Sequence, residues 1–89
     1  MIRSFRHRGL KQLYEREDKR RLPADQIDRI TRILAALDAA ETIDDMNQHT
    51  FRLHPLTGDR RGRWSVTVRA NWRLTFRFES GDAHDVDYH

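Results

Sequence analysis

The chain has 89 residues and a mass of 10.7 kDa, enough for one compact domain over residues 1–89 and for little else. It contains no cysteine, which excludes disulfide bonds, a thiolate nucleophile and thiolate zinc ligands. The formal net charge is +3 and no run of 18 apolar residues or signal-peptide core is present, so we expect a cytoplasmic domain that enters no membrane.

The chain opens with a short apolar segment followed by a first helix. Residues 2–5 are interpreted as an edge strand. Leu10, Leu13 and Tyr14 then fall three and four residues apart, which is the spacing of one helix face. This pattern predicts a helix from about Arg8 to Arg20.

A second helix follows Pro23, which ends the first helix and is well suited to open the next. Its apolar residues recur at spacings of three and four, at Ile27, Ile30, Ile33, Leu34 and Leu37. The two helices are therefore expected to form an α-hairpin whose apolar stripe covers a sheet. Residues 42–46 are predicted to form one further short turn.

From Phe51 onward the hydrophobic period changes to two, which is typical of half-buried strands. Residues 64–69 and 72–78 are predicted to be two antiparallel strands, preceded by a strand at 52–54 and followed by a last strand at 83–88. The predicted order is β-α-α-β-β-β. This order defines an α+β fold in which an antiparallel sheet packs on the α-hairpin.

The connection between the two central strands is constrained by side-chain parity. A two-residue loop in a regular ladder would place Val68 opposite Arg73 and mix apolar with charged side chains on one face. A three-residue loop over residues 70–72 places Arg69 opposite Arg73 instead. We therefore expect an odd loop, with Asn71 or its neighbour in a left-handed conformation.

Arginine is concentrated in the part of the chain that forms the sheet. Residues 51–78 carry a single acid, Asp59, and seven arginines, namely Arg52, Arg60, Arg61, Arg63, Arg69, Arg73 and Arg77. Such a set favours planar, bidentate recognition of phosphate groups. Arginines that face each other across strands repel, so either the acids of residues 79–87 neutralise them or an anion binds there. The sequence leaves both readings open.

Acid–base groups flank the arginine block at both of its ends. His54 precedes it, and Asp87, Tyr88 and His89 follow it. Cleavage of RNA without a metal requires a base for the 2′-hydroxyl, cations for the phosphorane and an acid for the leaving 5′-oxygen. Metal-ligand spacings are absent, so no metal and no cofactor are expected.

Four stretches of the chain resemble the HigB-type toxins of the RelE/ParE superfamily, and together they cover nearly its whole length. They are MIRSFRHRGLKQLYE, AALDAAETIDDMN, FRLHPLTGDRRGRWSVTVRANWRLTFRF and GDAHDVDYH. The resemblance implies a microbial RNase-like fold and a ribosome-dependent endonuclease that cuts mRNA in the A site of the 70S ribosome. It also implies neutralisation by a helix-turn-helix, HigA-like antitoxin. By matching position, His54, Arg69 and Arg73 fall on the active-face motif.

Two departures from the family pattern affect this expectation. Thr57 stands where many relatives have lysine, and Arg60 or Arg61 is a candidate replacement. Relatives commonly end in a further Asp-Tyr-His. Aligned without gaps, this chain lacks those three residues and would be an attenuated toxin. Aligned by its end, residues 87–89 are the catalytic trio, and an upstream deletion requires a bulge to restore the strand's phase.

The sequence hypothesis is thus a toxin of a type II toxin–antitoxin system that cleaves mRNA by attack of the 2′-hydroxyl. The expected catalytic residues are His54, Arg69, Arg73, Asp87, Tyr88 and His89. The expected RNA-binding residues are Arg60, Arg61, Arg63 and Arg77. Two alternatives are an inactive toxin-like protein that mainly binds its antitoxin and a ParE-like gyrase poison.

Overall fold

A computed structural model describes all 89 residues and shows a helical layer packed on one face of a four-stranded antiparallel sheet. The helices are α1 (Arg8–Arg16) and α2 (Ile27–Ala39). The strands are β1 (His54–Pro55), β2 (Arg63–Arg69), β3 (Trp72–Glu79) and β4 (Asp82–Tyr88), paired in chain order. The predicted α+β architecture is confirmed. Neither α-helix is long and apolar enough to cross a bilayer.

The first six residues run parallel to β4 along its outer edge. Ile2 and Phe5 form isolated bridges with Ala83 and Val86, and the Arg6 amide donates to the Val86 carbonyl at 2.8 Å. The expected edge strand is thus present as two bridges. Covering the edge in this way removes an open row of backbone donors and acceptors.

Helix α1 ends four residues earlier than predicted. Glu17 adopts the left-handed conformation, with φ 54°, and its amide donates to the Leu13 carbonyl at 3.0 Å. The bond from Glu17 to Leu13 is that of an αL C-cap motif, and the next amide, of Asp18, donates to the Gln12 carbonyl at 3.2 Å. The predicted helix end at Arg20 was wrong, because the residue that closes the helix is not a glycine and so gives no signal in the sequence.

The core lies between the α-hairpin and the inner face of the sheet. Helical side chains with almost no exposed surface meet inward-facing strand residues there, including Leu10, Ile30, Ile33, Leu37, Val66, Leu74, Phe76 and Val86. Each fully buried side chain of this size contributes about 1.5–3 kcal/mol relative to exposure. The alternation predicted for β2 and β3 is therefore confirmed for the inward-facing residues, but Trp72 remains 45% exposed at the hairpin end, and Ser65 and Thr75 on the outer face are also buried.

The β2–β3 hairpin has a two-residue turn and a bulge. Arg69 pairs with Trp72, whereas Thr67 pairs with Arg73, so the register shifts between Thr67 and Arg69. The predicted three-residue loop and the Arg69–Arg73 pair were wrong. The extra residue that parity requires lies in the strand rather than in the loop. A left-handed residue beside Asn71 is confirmed at Ala70, with φ 52°.

A second bulge interrupts the β3–β4 ladder. Thr75 pairs with Asp87 but Arg77 pairs with His84, which leaves one extra residue on β4. Asp85 occupies the bulge with φ 54°, and its amide donates to Ser4 Oγ at 2.8 Å. The phase of β4 changes at this point, so that Asp87 faces away from the helices.

The segment that leads into β1 is anchored to the core. Phe51 is 1% exposed, and the Arg29 guanidinium carbon lies 5.3 Å from its ring centroid. Arg29 also donates to the Thr67 carbonyl at 3.1 Å. Arg52, with φ 51°, then turns the chain, so the strand expected at 52–54 begins at His54.

Asp38 couples the first residues to the α-hairpin, and we predict that this coupling is acid-sensitive. The Tyr14 hydroxyl donates to Asp38 at 2.7 Å and the Ile2 amide at 3.0 Å, and these bonds lower the pKa of Asp38. A lowered folded-state pKa gives stability that is present above about pH 4 and lost as the pH falls through the lower value. Asp38→Asn should therefore reduce the melting temperature at neutral pH, with the deficit narrowing in acid.

Thermal unfolding followed by circular dichroism across this pH range measures the effect. Asp44→Asn is the matched control, because Asp44 is exposed and its side chain accepts no hydrogen bond. A deficit of equal size at all pH values would contradict the coupling.

Candidate active site

The face of the sheet opposite the helices carries a row of polar side chains across all four strands. Register places His54 beside Ser65, Ser65 beside Thr75 and Thr75 beside Asp87. Residues paired in register point to the same face of a sheet. His54 and Asp87 are therefore separated by three inter-strand spacings, or roughly 14 Å between backbones.

A second row lies two residues further along the strands. Thr67 pairs with Arg73, and Arg73 exchanges backbone hydrogen bonds with His89 at 2.9 and 3.0 Å. The guanidinium group of Arg73 is exposed and forms no ion pair within the chain. Arg73 and His89 thus extend from neighbouring positions on the same face.

A polar cleft of about 180 Å³ opens on this face. It has no hydrophobic lining residue and is bounded by Arg6, Asp59, Arg60, Arg63, Thr75, Asp87 and His89. Three arginines, two carboxylates and one imidazole converge there from the first segment, the loop before β2 and strands β2 to β4. The structure thus brings together the predicted residues Arg60, Arg63, Asp87 and His89.

Asp87 and His89 lie in contact at the cleft. His89 Nε2 lies 3.2 Å from Asp87 Oδ2, and the Tyr88 amide donates to Asp87 Oδ1 at 2.9 Å. A carboxylate so placed can orient the imidazole. The imidazole of His89 remains 46% exposed, so it can exchange a proton with a bound substrate.

Several arginines of the block are matched with acids of the same chain. Arg63 and Arg77 stand directly opposite each other, and Asp85 Oδ2 lies 3.9 Å from Arg63 Nη1 and 3.6 Å from Arg77 Nε. Burial lowers the pKa of Arg63, and repulsion from Arg6 adds to the effect. A hydrogen bond to Glu79 raises the pKa of Arg77.

Exposed arginines without a carboxylate partner occur beside these pairs. Arg60, Arg61 and Arg73 have no ion pair within the chain. The acids of the chain therefore neutralise only a subset of the arginines. The unpaired subset is the one available to an anion.

Four of the six predicted catalytic residues do not line the cleft. His54 and Arg73 lie on the same face of the sheet as the cleft, whereas Tyr88 and Arg69 do not. The Tyr88 hydroxyl donates to Gln26 Oε1 at 2.5 Å, and its ring stacks on Trp72 with centroids 4.8 Å apart. Burial raises the pKa of Tyr88. Arg69 forms an ion pair with Asp25, in the turn that precedes α2. The structure places both side chains on the helix side of the hairpin end rather than beside His89.

Sequence reasoning missed Arg6, Asp59 and Thr75. Alternation put Thr75 on the outer face, but it is only 2% exposed and its Oγ1 atom has no hydrogen-bond partner. A buried hydroxyl left without a partner costs about 1–3 kcal/mol. Arg6 had no local signal, because its position depends on pairing with a strand 80 residues away. No group of three or more side chains is arranged to hold a metal ion.

Comparison with solved structures shows the class of fold. A histidine-to-glutamine variant of YafQ from E. coli matches with a TM-score of 0.61 at 15% identity, over 98% of this chain and 87% of that one. YafQ from E. coli strain BL21(DE3) matches with a TM-score of 0.55 at 13% identity, over the same shares. The chain therefore shares the fold of YafQ.

Comparison of sequences identifies the family to which the chain belongs. The family model of HigB-like toxins, described as RelE-like toxins of the type II toxin–antitoxin system HigB, matches residues 3–89. The Endoribonuclease HigB of Proteus vulgaris is 51% identical over 88 residues, which cover 99% of this chain and 96% of that protein. The chain belongs to the HigB-like toxin family.

Asp85 is predicted to stabilise the sheet by separating two opposed arginines. Asn also tolerates the left-handed conformation, so Asp85→Asn removes the charge while keeping the bulge. We expect a melting temperature lower by a few degrees at low ionic strength and a smaller deficit at high ionic strength, because salt screens the repulsion.

Thermal unfolding at two ionic strengths measures this effect. Asp44→Asn again serves as the control, since it removes a carboxylate that contacts no arginine. A deficit that is unchanged by salt would show that Asp85 acts through backbone geometry rather than charge.

Proposed function

We propose that this chain is an endoribonuclease toxin that cleaves mRNA through attack of the ribose 2′-hydroxyl on the neighbouring phosphate. The observation that carries the proposal is the Asp87–His89 pair beside an unpaired Arg73, at a cationic cleft without apolar lining. The name of the relative from Proteus vulgaris, an endoribonuclease, supports the same activity.

In the proposed mechanism His89 is the general base. It takes the proton of the 2′-hydroxyl, and the charge of Asp87 stabilises the imidazolium that forms. The 2′-oxygen bonds to phosphorus, the bond from phosphorus to the 5′-oxygen breaks, and His54 protonates the departing oxygen. The products are a 2′,3′-cyclic phosphate and a 5′-hydroxyl. The backbones of His54 and His89 are three inter-strand spacings and two residues apart, or roughly 16 Å, which lets the imidazoles face opposite sides of one phosphodiester.

Arginine side chains are assigned to the phosphate charge. Arg73 neutralises the pentacoordinate phosphorus, because it adjoins His89 and is unpaired. Arg60 and Arg61 contact the RNA backbone. Arg69 is engaged with Asp25 and Arg77 with Glu79, so both are assigned a minor part.

The two alignments of the last strand bear on this assignment. An end alignment needs a bulge upstream of residue 87, and β4 has one at Asp85. The geometry supports catalytic roles for Asp87 and His89 and leaves Tyr88 as a packing residue against Trp72.

The partners follow from the family and the small active site. Membership of a type II toxin–antitoxin family implies an antitoxin, and we propose a helix-turn-helix, HigA-like protein. We further propose that the chain acts in the cytoplasm on mRNA in the A site of the 70S ribosome, which aligns the substrate.

His89→Gln should lower the cleavage rate by about 10²–10³-fold, because the amide cannot accept the hydroxyl proton. Primer extension on mRNA in a purified translation system measures cleavage, and growth arrest on induction measures toxicity. His49→Gln is the control, since His49 is exposed in a turn away from the cleft. Cleavage by His89→Gln at the wild-type rate would contradict the mechanism, and a wild-type chain that binds antitoxin without cleaving would contradict the function.

Cleavage should require ribosomes. A chain with few acid–base groups gains most from a substrate already held in a reactive geometry, so free mRNA should remain nearly intact. The same primer extension without ribosomes tests this, with ribosomes restored as the positive control. Equal cutting of free and ribosome-bound mRNA would contradict ribosome dependence.

A further inference from the structure

The polar cleft contains more positive charge than the proposed chemistry uses. Arg6 comes from the first segment, Arg60 from the loop before β2, and Arg63 from β2 itself. Arg6 and Arg60 have no ion pair, and Arg6 repels the largely buried Arg63. Exposed guanidinium groups that have no ion-pair partner, as Arg6 and Arg60 do here, are suited to bind an anion.

Thr75 supplies an independent observation at the same place. It lines the cleft, it is 2% exposed, and its Oγ1 atom neither donates nor accepts a hydrogen bond. Buried hydroxyls in folded proteins nearly always have a partner, so an unpartnered one at a cleft points to a missing ligand atom.

We propose that the cleft is an oxyanion site in which Arg6, Arg63 and the Thr75 hydroxyl hold a phosphate group of the RNA backbone. The inference rests on the proposed function and deepens it. Arg73 and His89 act on the scissile phosphate, and the cleft takes the adjacent one. A substrate held at two successive phosphates is fixed in orientation as well as position.

Two carboxylates line the cleft together with the three arginines. Asp87 accepts from the Tyr88 amide and lies 3.2 Å from His89 Nε2. Asp59 is exposed in the turn over residues 58–60 and lies next to Arg60 in the chain. Asp85, outside the lining, lies 3.9 Å from Arg63 and offsets part of its charge, so the excess of positive charge comes from Arg6 and Arg60.

Titration of the full chain with inorganic phosphate, followed by ¹H–¹⁵N NMR, tests the site without requiring catalysis. We expect saturable shifts of the Arg63 and Thr75 amides, and about tenfold weaker binding by Arg6→Gln. Arg8→Gln is the matched control, because it removes the same charge from an exposed residue outside the cleft. Amide shifts that do not saturate with phosphate, or equal weakening of phosphate binding by Arg6→Gln and Arg8→Gln, would overturn the proposed site.

Thr75→Val keeps the shape of the side chain and removes the hydroxyl. We expect weaker phosphate binding together with a melting temperature raised by about 4–8 °C, since an unsatisfied buried group is removed. Thr31→Val, on the exposed surface of α2, should change neither. Unchanged phosphate binding by Thr75→Val would overturn the role of its hydroxyl.

A second arm asks whether the bound phosphate belongs to RNA. The probe is a single-stranded oligonucleotide without 2′-hydroxyl groups, which the chain cannot cleave. Arg6→Gln should reduce the slope of log affinity against log salt by about 0.7, the value of one phosphate contact. An unchanged slope would overturn the assignment to RNA. If the wild-type chain binds phosphate but does not cleave mRNA on ribosomes, the proposed function is contradicted and the phosphate site is not, because the two are measured separately.

Discussion

The β-bulge at Asp85 determines which side chains of β4 reach the cleft. Without the extra residue, the strand would present Val86 and Tyr88 on the outer face and bury Asp87. With it, Ala83 and Val86 both enter the core, and Asp87 lies beside Thr75. The amide that the bulge removes from the ladder is satisfied by Ser4, so the distortion leaves no buried donor without a partner.

Asp85 also neutralises some of the arginines on the sheet and not others. Arg63 and Arg77 are opposed across two strands, and the Asp85 carboxylate lies near both. Arg73, four residues from Arg77 along β3 and nearer the hairpin end, has no such partner and keeps its charge exposed. A basic sheet can remain stable in this way while leaving selected guanidinium groups available to bind phosphate.

Periodicity predicted the two helices, the strands that follow them and the face of most central residues, because burial dictates these features, but it placed Arg69 on the wrong face. Periodicity did not predict the left-handed backbone at Glu17, which ends α1, or at Asp85, which forms the bulge in β4. Neither position has a glycine that would indicate this conformation. Side-chain parity requires one extra residue near the β2–β3 turn. Parity alone does not distinguish an extra loop residue, which is predicted from the sequence, from the bulge at Val68 that the structure has. The position of Arg6 follows from long-range strand pairing, which local sequence patterns do not report.

The contact between the first segment and β4 joins parts of the chain that are 80 residues apart in sequence. During synthesis, residues 1–6 emerge long before β4 exists to receive them. The cleft, which needs Arg6 as well as Asp87 and His89, can therefore form only after the last strand has left the exit tunnel. A nascent copy therefore has no assembled cleft until β4 has emerged from the ribosome.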